Sequence, residues 1–435
     1  MREMVDIDLP WIEQIPKEWS TKRIKEFLSE RKETCLAGDG YQLLAVSEYY
    51  GVAPKKDVIK EGEQETRAES VEGYKICRPG DLAMNIMLAW RRAMGVSDYL
   101  GIISPSYAVF QPKKGIQVNM KFFHYLFRTD VYAKYFEGNS TGIMASRWRL
   151  YPDVFLSLRC QFPPIDEQSR IVSFLDDRCA KIDEAIERHD TLIKKLDEYR
   201  KAVITEAVTK GVRGKREMKE SGVVWIKEIP FDWTYKPLKA IFTFGKGLSI
   251  TKANLVEKGF PVISYGQVHA KYNSGVSVCD ELIRYVSKDD ICESSLVKKN
   301  DLIFADTSED LEGCGNCVYV NTDYPIYGGY HTIVLNSRFE QSNKFIAYLV
   351  KTDDWRFQLR RQLTEVKLYS VSQKVLKDTT VILPPLMEQQ EIVAYLDEKC
   401  AAIDAAKERH AQLMAKLEEY KKSLIYYAVT GKIEC

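Results

Sequence analysis

The sequence predicts an α+β fold in which two globular domains of mixed strands and helices are joined by two long helices. These helices are expected to pack on one another as a coiled coil. Two observations support this: 435 residues exceed what one hydrophobic core usually serves, and a long segment recurs at the end of the chain. The predicted division is a first domain at 1–162, a central helix at 163–209, a linker and second domain at 210–383, and a distal helix at 384–435.

The repeat is long and free of gaps. The sequence PPIDEQSRIVSFLDDRCAKIDEAIERHDTLIKKLDEYRKAVITEAVT begins at 163, and PPLMEQQEIVAYLDEKCAAIDAAKERHAQLMAKLEEYKKSLIYYAVT begins at 384, an offset of 221. Weaker repeats precede each copy: WIEQIPKEW from Trp11 matches WIKEIPFDW from Trp225, and FFHYLFRTD from Phe122 matches FIAYLVKTD from Phe345. The order is therefore domain, helix, domain, helix, with domain bodies that have diverged more than the helices.

Each long repeat is predicted to be helical. It is rich in Ala, Leu, Glu, Lys and Ile, lacks Pro and Gly for over forty residues, and follows a double proline that suits a helix start. Gly211 and Gly431 are expected to end the helices. A coiled-coil seam of residues three, four or seven apart runs through the first copy: Leu175, Cys179, Ile182, Ile186, His189, Ile193, Leu196, Val203 and Ala207. The seam is expected to pack against its own repeat; the alternative is two independent dimerisation arms.

The domain bodies are predicted from short strand patterns. In the first body YQLLAVSEY, GDLAMNIM and SYAVFQP precede one amphipathic helix near FFHYLFRTDVYAKYF. In the second body FPVISYGQV, NDLIFAD, CVYVN and HTIVLN precede a helix at FIAYLVKTDDW. The linker at 210–222 is polar and basic, so it is expected to be exposed.

Composition limits the function classes. The net charge is only +1, but residues 78–160 hold 11 Lys/Arg against 5 Asp/Glu, so basic charge is concentrated there. No apolar run suggests a membrane span or a signal core, which predicts a cytoplasmic protein without a membrane partner. Cys314 and Cys317 form a CxxC that lacks further zinc ligands, so no metal site is expected. Neither a GxxxxGK[ST] loop nor an NPPY tetrapeptide is present, so no catalytic residues are assigned.

The two PP(I/L)xEQ segments, each followed by IDxxxERH, resemble those of the specificity subunits of Type I restriction-modification systems, over essentially the whole chain. The resemblance implies a non-catalytic, sequence-specific DNA-binding subunit whose two target-recognition domains each read half of a split double-stranded DNA site. It also implies that the two helices form an antiparallel coiled-coil spacer, so that the two halves of the chain are related by an approximate twofold axis. It further implies that two modification (methyltransferase) subunits dock on the helical region and that restriction subunits join them for ATP-driven translocation. S-adenosylmethionine, Mg²⁺ and ATP then belong to the partners, and no cofactor is expected in this chain. Because the domain bodies differ, the recognised sequence is expected to be asymmetric and interrupted.

Two alternatives from other classes stay open at this point. One is a self-sufficient restriction or methylation enzyme, which the missing motifs disfavour. The other is a coiled-coil scaffold without a DNA function, which a DNA-binding assay distinguishes from the favoured interpretation.

Candidate DNA contacts in the first domain centre on Trp90, Arg91 and Arg92, because two guanidinium groups can fork onto guanine or phosphate. A capped surface loop with Trp90 in the core is the competing interpretation. Four further basic residues are weaker candidates, for phosphate contacts above all: Lys113, Lys114, Arg147 and Arg149, the last two flanking Trp148.

Candidates in the second domain follow strand patterns. Lys246 lies between two glycines, where a turn is the default and a phosphate contact the alternative. The remaining candidates can donate hydrogen bonds or stack: Tyr265, Gln267, His269, Lys271, Tyr330 and His331. Two glycines beside Tyr330 would let the backbone approach DNA. Strand residues facing a core are the competing interpretation.

Candidate partner-docking residues are Glu167 and Gln168 with Glu388 and Gln389, which recur at the two helix starts. Acidic side chains in a first turn also stabilise the helix dipole. The sequence favours this structural role over docking.

Overall fold

The computed structural model describes residues 2–9, 12–36, 40–58, 70–142, 148–270, 273, 275–363 and 369–435. The chain divides into two compact units, Met1–His189 with Gln412–Cys435, and Asp190–Ala411. Each unit consists of a globular body and a part of both long helices. The sequence division followed segments of the chain, whereas these units follow contacts in space.

The first unit is built from short strands and helices. Its strands are β1 (Met4–Leu9), β2 (Ile12–Pro16), β3 (Ser20–Arg23), β4 (Leu28–Glu30), β5 (Leu44–Ser47), β6 (Gly51–Pro54), β7 (Lys75–Cys77), β8 (Leu82–Asn85), β9 (Met94–Val96), β10 (Gly101–Ile103), β11 (Tyr107–Pro112) and β12 (Arg159–Phe162). Its helices are α1 (Ile24–Phe27), α2 (Met120–Phe127), α3 (Asp130–Gly138) and α4 (Pro152–Ser157), followed by the long helix α5 (Ile165–Lys210). The main antiparallel sheet has the order β4-β11-β8-β9.

The core of the first unit is rich in phenylalanine. Phe110 from the sheet packs with residues of the helices, among them Phe123, Phe127 and Phe155, all fully buried. The single amphipathic helix predicted near 122–136 is wrong in one respect, because the structure has two helices. The Thr129 hydroxyl donates to the Leu126 carbonyl and accepts from the Tyr132 amide, which ends α2 and caps α3.

The second unit is also built from short strands and helices, and it contains an additional five-stranded sheet. Its strands are β13 (Met218–Val223), β14 (Ile226–Pro230), β15 (Thr234–Pro237), β16 (Phe242–Lys246), β17 (Leu255–Val256), β18 (Phe260–Ile263), β19 (Arg284–Val286), β20 (Leu296–Val297), β21 (Leu302–Ala305), β22 (Thr307–Ser308), β23 (Cys317–Tyr319), β24 (Ile326–Gly328), β25 (Thr332–Ser337), β26 (Tyr369–Ser370) and β27 (Thr380–Leu383). Its helices are α6 (Leu238–Ile241), α7 (Tyr265–Val268), α8 (Asn343–Leu349), α9 (Asp353–Arg360) and α10 (Gln373–Asp378), followed by the long helix α11 (Leu386–Val429).

The sheet order β16-β25-β21-β23 corresponds to the main sheet of the first unit, and Thr352 caps α9 as Thr129 caps α3. The second sheet, β17-β19-β18-β24-β20, contains the parallel pair β18–β24. The strands predicted at NDLIFAD, CVYVN and HTIVLN are confirmed as β21, β23 and β25. The strand predicted at FPVISYGQV is wrong in its second half, because only Phe260–Ile263 is a strand and Tyr265–Val268 forms helix α7. The linker prediction is wrong in part, because 218–223 forms β13 and Ser221 is buried.

The two long helices are confirmed, and within each unit they pack on one another. In the first unit Leu175 and Ile182 of α5 share the core with Leu424 and Ala428 of α11. In the second unit Lys407 pairs with Asp197 at 2.5 Å and Arg200 pairs with Asp404, so residue numbers rise along one helix as they fall along the other. This is antiparallel packing. Gly211 and Gly431 follow the helix ends with φ of 80° and 71°, as predicted.

No helix in the described ranges combines the length and the apolar character needed to cross a membrane.

Candidate DNA-binding surfaces and helix anchors

The start of α5 is fixed by a buried carboxylate. Glu167 accepts a hydrogen bond from Trp19 Nε1 at 2.7 Å and a bidentate pair from Arg2, one arm of it at 2.7 Å. Burial alone raises the pKa of Glu167, but the hydrogen bonds from Arg2 and Trp19 and the charge of Arg2 outweigh it, so the pKa lies below its ordinary value. The carboxylate therefore stays ionised.

The neighbouring glutamine ties the helix start to its own body. Gln168 is fully buried; its Nε2 donates to the Pro163 carbonyl at 2.8 Å, and its Oε1 accepts from the Asn119 amide at 2.9 Å. Asn119 is the N-cap of α2. One side chain thus joins the starts of two helices.

The second unit repeats this anchor. Glu388 is also fully buried and accepts a hydrogen bond from Trp233 Nε1 at 3.2 Å. It also accepts hydrogen bonds from Arg216, which lies in the segment that was predicted to be a linker. Gln389 donates to the Pro384 carbonyl at 2.9 Å and accepts from the Ser342 amide at 3.1 Å.

All four predicted docking residues therefore lie inside the protein. Glu167 and Gln389 are 7% and 4% exposed, and Gln168 and Glu388 are fully buried. Their hydrogen bonds hold the helices to the bodies, so partner docking at these positions stays a prediction that the contacts do not support.

A third contact repeats along the helices. Tyr125 donates to Asp176 at 2.6 Å and Lys121 pairs with the same carboxylate at 2.8 Å. In the second unit Tyr348 and Lys344 each reach Asp397 at 2.7 Å. Burial, with the adjacent carboxylate, raises the pKa of both tyrosines, so they remain donors. The tyrosine, lysine and aspartate that recur in the two repeats thus join each long helix to its own globular body.

The Trp90 loop of the first unit lies at one end of the main sheet. Trp90 is half-buried, donates from Nε1 to the Met87 carbonyl at 3.0 Å, and meets Trp148 edge to face at 5.5 Å between ring centroids. Arg91 pairs with Glu48 at 3.1 Å and Arg92 pairs with Asp130 at 2.7 Å. The two guanidinium groups are at the surface, each beside one carboxylate.

The other basic candidates of this unit separate into two places. Arg149 is exposed next to Trp148, and the Leu150 amide donates to the Ile86 carbonyl, so Arg149 joins the Trp90 loop. Lys113 and Lys114 are exposed beyond the opposite end of β11, where Phe110 pairs with Leu82 whereas Tyr107 pairs with Asn85 near the loop. The six residues of β11 separate Lys113 and Lys114 from the Trp90 loop by about 20 Å. Arg147 lies outside the described residues.

Arg128 is a residue that the sequence analysis missed. From the end of α2 its guanidinium donates to five backbone carbonyls at 2.7–3.2 Å, those of Ser47, Glu48, Tyr49, Arg92 and Met94. Burial, with the nearby charge of Arg92, lowers the pKa of Arg128 to about 10, so it remains a cation at neutral pH. The only sequence signal was a basic residue before the threonine cap, repeated as Lys351 in the second unit.

Four candidates of the second unit form one aromatic cluster. Tyr265 lies 5.4 Å from His331, 5.6 Å from Tyr330 and 6.3 Å from His269, measured between ring centroids. Tyr330 and His331 also line a cleft of about 400 Å³ with the exposed Lys246. The structure therefore brings together candidates that are up to 85 residues apart in sequence, from Lys246 to His331.

Two candidates of the second unit, His269 and Gln267, form hydrogen bonds inside the unit. His269 accepts at Nδ1 from the Asn316 amide at 3.0 Å and donates from Nε2 to the Thr307 carbonyl at 2.8 Å, which defines the neutral Nε2–H tautomer. Gln267 accepts at Oε1 from the Ser264 amide at 3.2 Å and caps α7. Both serve the fold, while His331 is 59% exposed. Lys271 lies outside the described residues.

The glycines of this unit serve internal packing. Lys246 ends strand β16, so the predicted turn is wrong. A Cβ on Gly247 would overlap the Gly329 carbonyl, and a Cβ on Gly329 would overlap the Ser264 hydroxyl. These glycines allow close backbone approach within the unit; approach to DNA is not needed to explain them.

Metal ligation finds no support among the described residues, where no group of His, Cys, Asp and Glu is suited to hold an ion. Cys314 and Cys317 are buried in the apolar core of the second unit. Burial raises the pKa of Cys317 to about 11, so the thiol stays protonated.

Comparisons with known proteins agree with this architecture. The family model described as Type I restriction modification DNA specificity domain matches residues 230–415. The Type I restriction enzyme MjaVIII specificity subunit of Methanocaldococcus jannaschii is 21% identical over 430 residues, covering 97% of this chain and 94% of the relative. The EcoKI specificity subunit of Escherichia coli K12 is 22% identical over 210 residues, covering 47% of this chain and 44% of the relative.

Two solved structures share the fold. A chain from a study of complex assembly and conformational transition of the type I R-M system has a TM-score of 0.70 at 17% identity, covering 96% of this chain and 99% of that chain. The HsdS subunit from Thermoanaerobacter tengcongensis has a TM-score of 0.53 at 16% identity, covering 96% and 98%.

Residues 230–415 are thus a Type I restriction modification DNA specificity domain. Over nearly its whole length the chain is similar to specificity subunits of Type I restriction-modification systems. The resemblance seen in the sequence is confirmed, and the alternatives of a self-sufficient enzyme and of a scaffold without a DNA function are not supported.

Proposed function

We propose that each unit reads one half of an asymmetric, interrupted double-stranded DNA sequence. The observation that carries this proposal is the contrast between equal anchors and unequal surfaces. Glu167 and Glu388 are each held by one tryptophan and one arginine. The surface candidates differ, since the first unit has Trp90 and Arg91 whereas the second has Tyr265 and His331. Two different surfaces on one frame are suited to two different half-sites.

Exchange of one body tests this. Replacing 1–162 or 210–383 with the matching segment of another specificity subunit should change one half of the methylated motif and leave the other half intact. The donor segment must supply a tryptophan and an arginine for the anchor, in place of Trp19 with Arg2 or Trp233 with Arg216. Sequencing of methylated host DNA reports the motif, and a change in both halves would contradict the proposal.

Two modification subunits are the proposed partners of the long helices. Since the Glu-Gln pairs are buried, other residues must carry the docking. Exposed apolar side chains recur at the repeat offset: Leu192 and Leu413 are 42% and 39% exposed, and Tyr199 and Tyr420 are 54% and 57% exposed. Within each helix the pair is seven residues apart and shares one face. The same apolar face is thus offered twice, which suits two copies of one partner.

Stoichiometry tests the docking. The double variants Leu192→Ala/Tyr199→Ala and Leu413→Ala/Tyr420→Ala should each weaken binding of one modification subunit about tenfold or more, since buried aromatic anchors dominate interfaces. Native mass spectrometry of the purified complex should then show one copy instead of two. Phe339→Ala, 62% exposed on the second body, is the matched control. Two copies retained by both double variants would exclude this face.

The cofactors are proposed to reside in the partners. S-adenosylmethionine would serve the modification subunits, and ATP with Mg²⁺ the restriction subunits, in a cytoplasmic complex. The purified chain, incubated alone with DNA and either S-adenosylmethionine or Mg²⁺, should neither methylate nor cleave. Activity of the chain alone would contradict this assignment.

A further inference from the structure

The β5–β6 hairpin of the first unit ends in a tip that its sequence does not single out. Ser47 pairs with Gly51, so Glu48, Tyr49 and Tyr50 form the turn. Tyr49 is 82% exposed and Tyr50 is 42% exposed. Two neighbouring exposed tyrosines contribute little to the core, but their rings and hydroxyls are suited to contacts that combine packing with hydrogen bonding.

Hydrogen bonds from one side chain fix this tip in place. Arg128 reaches the carbonyls of Ser47, Glu48 and Tyr49 on the hairpin and those of Arg92 and Met94 after the Trp90 loop. A cation that satisfies five carbonyls on two separate segments makes them one rigid element. The tip therefore cannot move independently of the Trp90 loop.

Two other contacts join the same segments. Arg91 pairs with Glu48 of the tip at 3.1 Å. Below the tip, Gly51 and Gly95 meet so closely that a Cβ on Gly95 would lie 3.0 Å from the Gly51 Cα. His124 packs against both glycines and accepts from the Val96 amide at 3.2 Å, and burial lowers its pKa to about 3, so it stays neutral.

The charge of this surface suits a polyanion. Among its described side chains, Arg91, Arg92, Arg128 and Arg149 outnumber the carboxylates of Glu48 and Asp130. The half-buried rings of Trp90 and Trp148 meet edge to face, and the Arg91 guanidinium lies 5.8 Å from the Trp90 ring centroid. Exposed cations for phosphates, beside aromatic and hydroxyl groups for base edges, match the chemistry of double-stranded DNA.

We propose that Tyr49 and Tyr50, with Arg91, form the DNA-reading edge of the first unit and that Arg128 is the positioning residue that fixes this edge. The inference rests on the proposed function and names the residues that would carry the specificity of one half-site. Arg128 acts through the loops, because both of its terminal nitrogens are engaged by carbonyls inside the unit.

The second unit supplies a matched comparison. Lys351, at the position of Arg128 in the repeat, donates to the carbonyls of Asn273 and Gly275. It holds a different segment by the same means. Its substitution should therefore affect the other half-site.

The test measures affinity of the full chain, with its modification subunits, for duplexes that carry the methylated motif or a mismatch in one half. The variants are Tyr49→Ala, Tyr50→Ala, Arg128→Met and Arg128→Lys. Tyr99→Ala is the control for an exposed tyrosine, since Tyr99 is 38% exposed beyond Val96, at the opposite end of the sheet. Lys351→Met is the control for a buried cation.

Tyr49→Ala or Tyr50→Ala should weaken binding of the intact motif roughly tenfold and reduce discrimination against mismatches in one half only. Arg128→Met should reduce the same discrimination, Arg128→Lys should restore part of it, and Lys351→Met should affect the other half. Tyr99→Ala should bind as wild type.

Three results would overturn the inference. Wild-type affinity in both tyrosine variants would remove the tip from the edge, and this arm decides the matter even if Arg128→Met fails to fold. An equal loss on all duplexes in Arg128→Met, with unchanged discrimination, would reduce Arg128 to a structural role. Absence of any motif preference in the wild-type complex would overturn the proposed function as well, and so differs from the first two results.

Discussion

The two units are most alike where the long helices begin and least alike at the surfaces above their sheets. A tryptophan and an arginine hold Glu167 in one unit and Glu388 in the other, and a glutamine joins each helix start to its body. The second unit has a sheet of order β17-β19-β18-β24-β20 where the first has the β5–β6 hairpin and the β7–β10 pair. Buried polar groups tolerate few substitutions because each must keep its partner, whereas exposed loops are free to vary.

The turn between α2 and α3 and the matching turn between α8 and α9 combine a shared residue position with different contacts. Arg128 and Lys351 occupy the same position before a threonine cap, and each donates to backbone carbonyls. Burial lowers the pKa of Lys351 to about 8, close to physiological pH, while Arg128 remains a firm cation. In the second unit Arg356 adds a hydrogen bond to Asn316, which in turn contacts His269. A common position thus supports different loops.

The largest expected effect is loss of an anchor. Glu167→Ala or Glu388→Ala should lower the free energy of unfolding by about 3–5 kcal/mol, because an arginine and a buried indole N–H lose their acceptor. Denaturant unfolding of the full chain measures this. Glu391→Ala, which removes a half-exposed partner of Arg213, should cost much less, because solvent screens an exposed ion pair. Equal losses in all three variants would show that the anchor has no special weight.

A smaller loss is expected at the helix ends. Gly211 has a φ of 80°, and a Cβ there would lie 2.6 Å from Glu388 Oε1, so Gly211→Ala combines backbone strain with a clash. Gly214 has a φ of 81° with open space around it. Gly214→Ala should therefore cost about 1 kcal/mol from strain alone, and Gly211→Ala about 2–3 kcal/mol. If thermal or denaturant unfolding finds the two variants equal, the contact between Gly211 and the anchor is unimportant.

The placement of basic residues predicts unequal effects on DNA affinity. Arg91→Ala should weaken specific binding by about 1–3 kcal/mol, whereas Lys113→Ala, at the far end of the sheet, should change it by less than about 0.5 kcal/mol. A mobility-shift titration at two salt concentrations separates base reading from phosphate contact. A larger loss for Lys113→Ala would mean that DNA binds at the opposite end.

The smallest effect concerns pH. Since the pKa of Glu167 lies below its ordinary value in the folded state, its ionised form adds stability above the ordinary pKa, and this is lost as the pH falls through the lowered value. Glu167→Gln should therefore cost most at neutral pH and least in acid. Unfolding curves from pH 7 to pH 3 measure the difference, and a cost that grows on acidification would contradict the assignment.

Much of the frame was predictable, because long amphipathic repeats and glycine ends are local signals. The two helices and the main strands followed from these signals, whereas the antiparallel packing of the helices was expected from the resemblance to a known family. The break between α2 and α3 was also signalled, by Thr129 followed by Asp130, but the continuous apolar pattern obscured it.

The roles of single residues were harder to predict from the sequence. Nothing near Glu167 reveals that Trp19, 148 residues away in sequence, covers it, so its burial could not be predicted. Likewise Gly247 and Gly329 suggest freedom for a ligand until the structure shows that they meet each other. The aromatic cluster around Tyr265 was predicted residue by residue, but its assembly depends on the pairing of β18 with β24.

We propose that the length of the two long helices sets the number of base pairs between the two half-sites. The units divide after His189 in α5 and after Ala411 in α11. Inserting Ala-Glu-Ala-Leu at both points leaves the contacts within each unit unchanged, among them Asp183 with Lys421 and Asp404 with Arg200. Four residues add about 6 Å of helix and about 40° of rotation, against roughly 3.4 Å per base pair of DNA. Sequencing of methylated DNA should then show the same bases in both halves with a gap longer by one or two base pairs. A folded, active variant that methylates only the original gap would contradict the account.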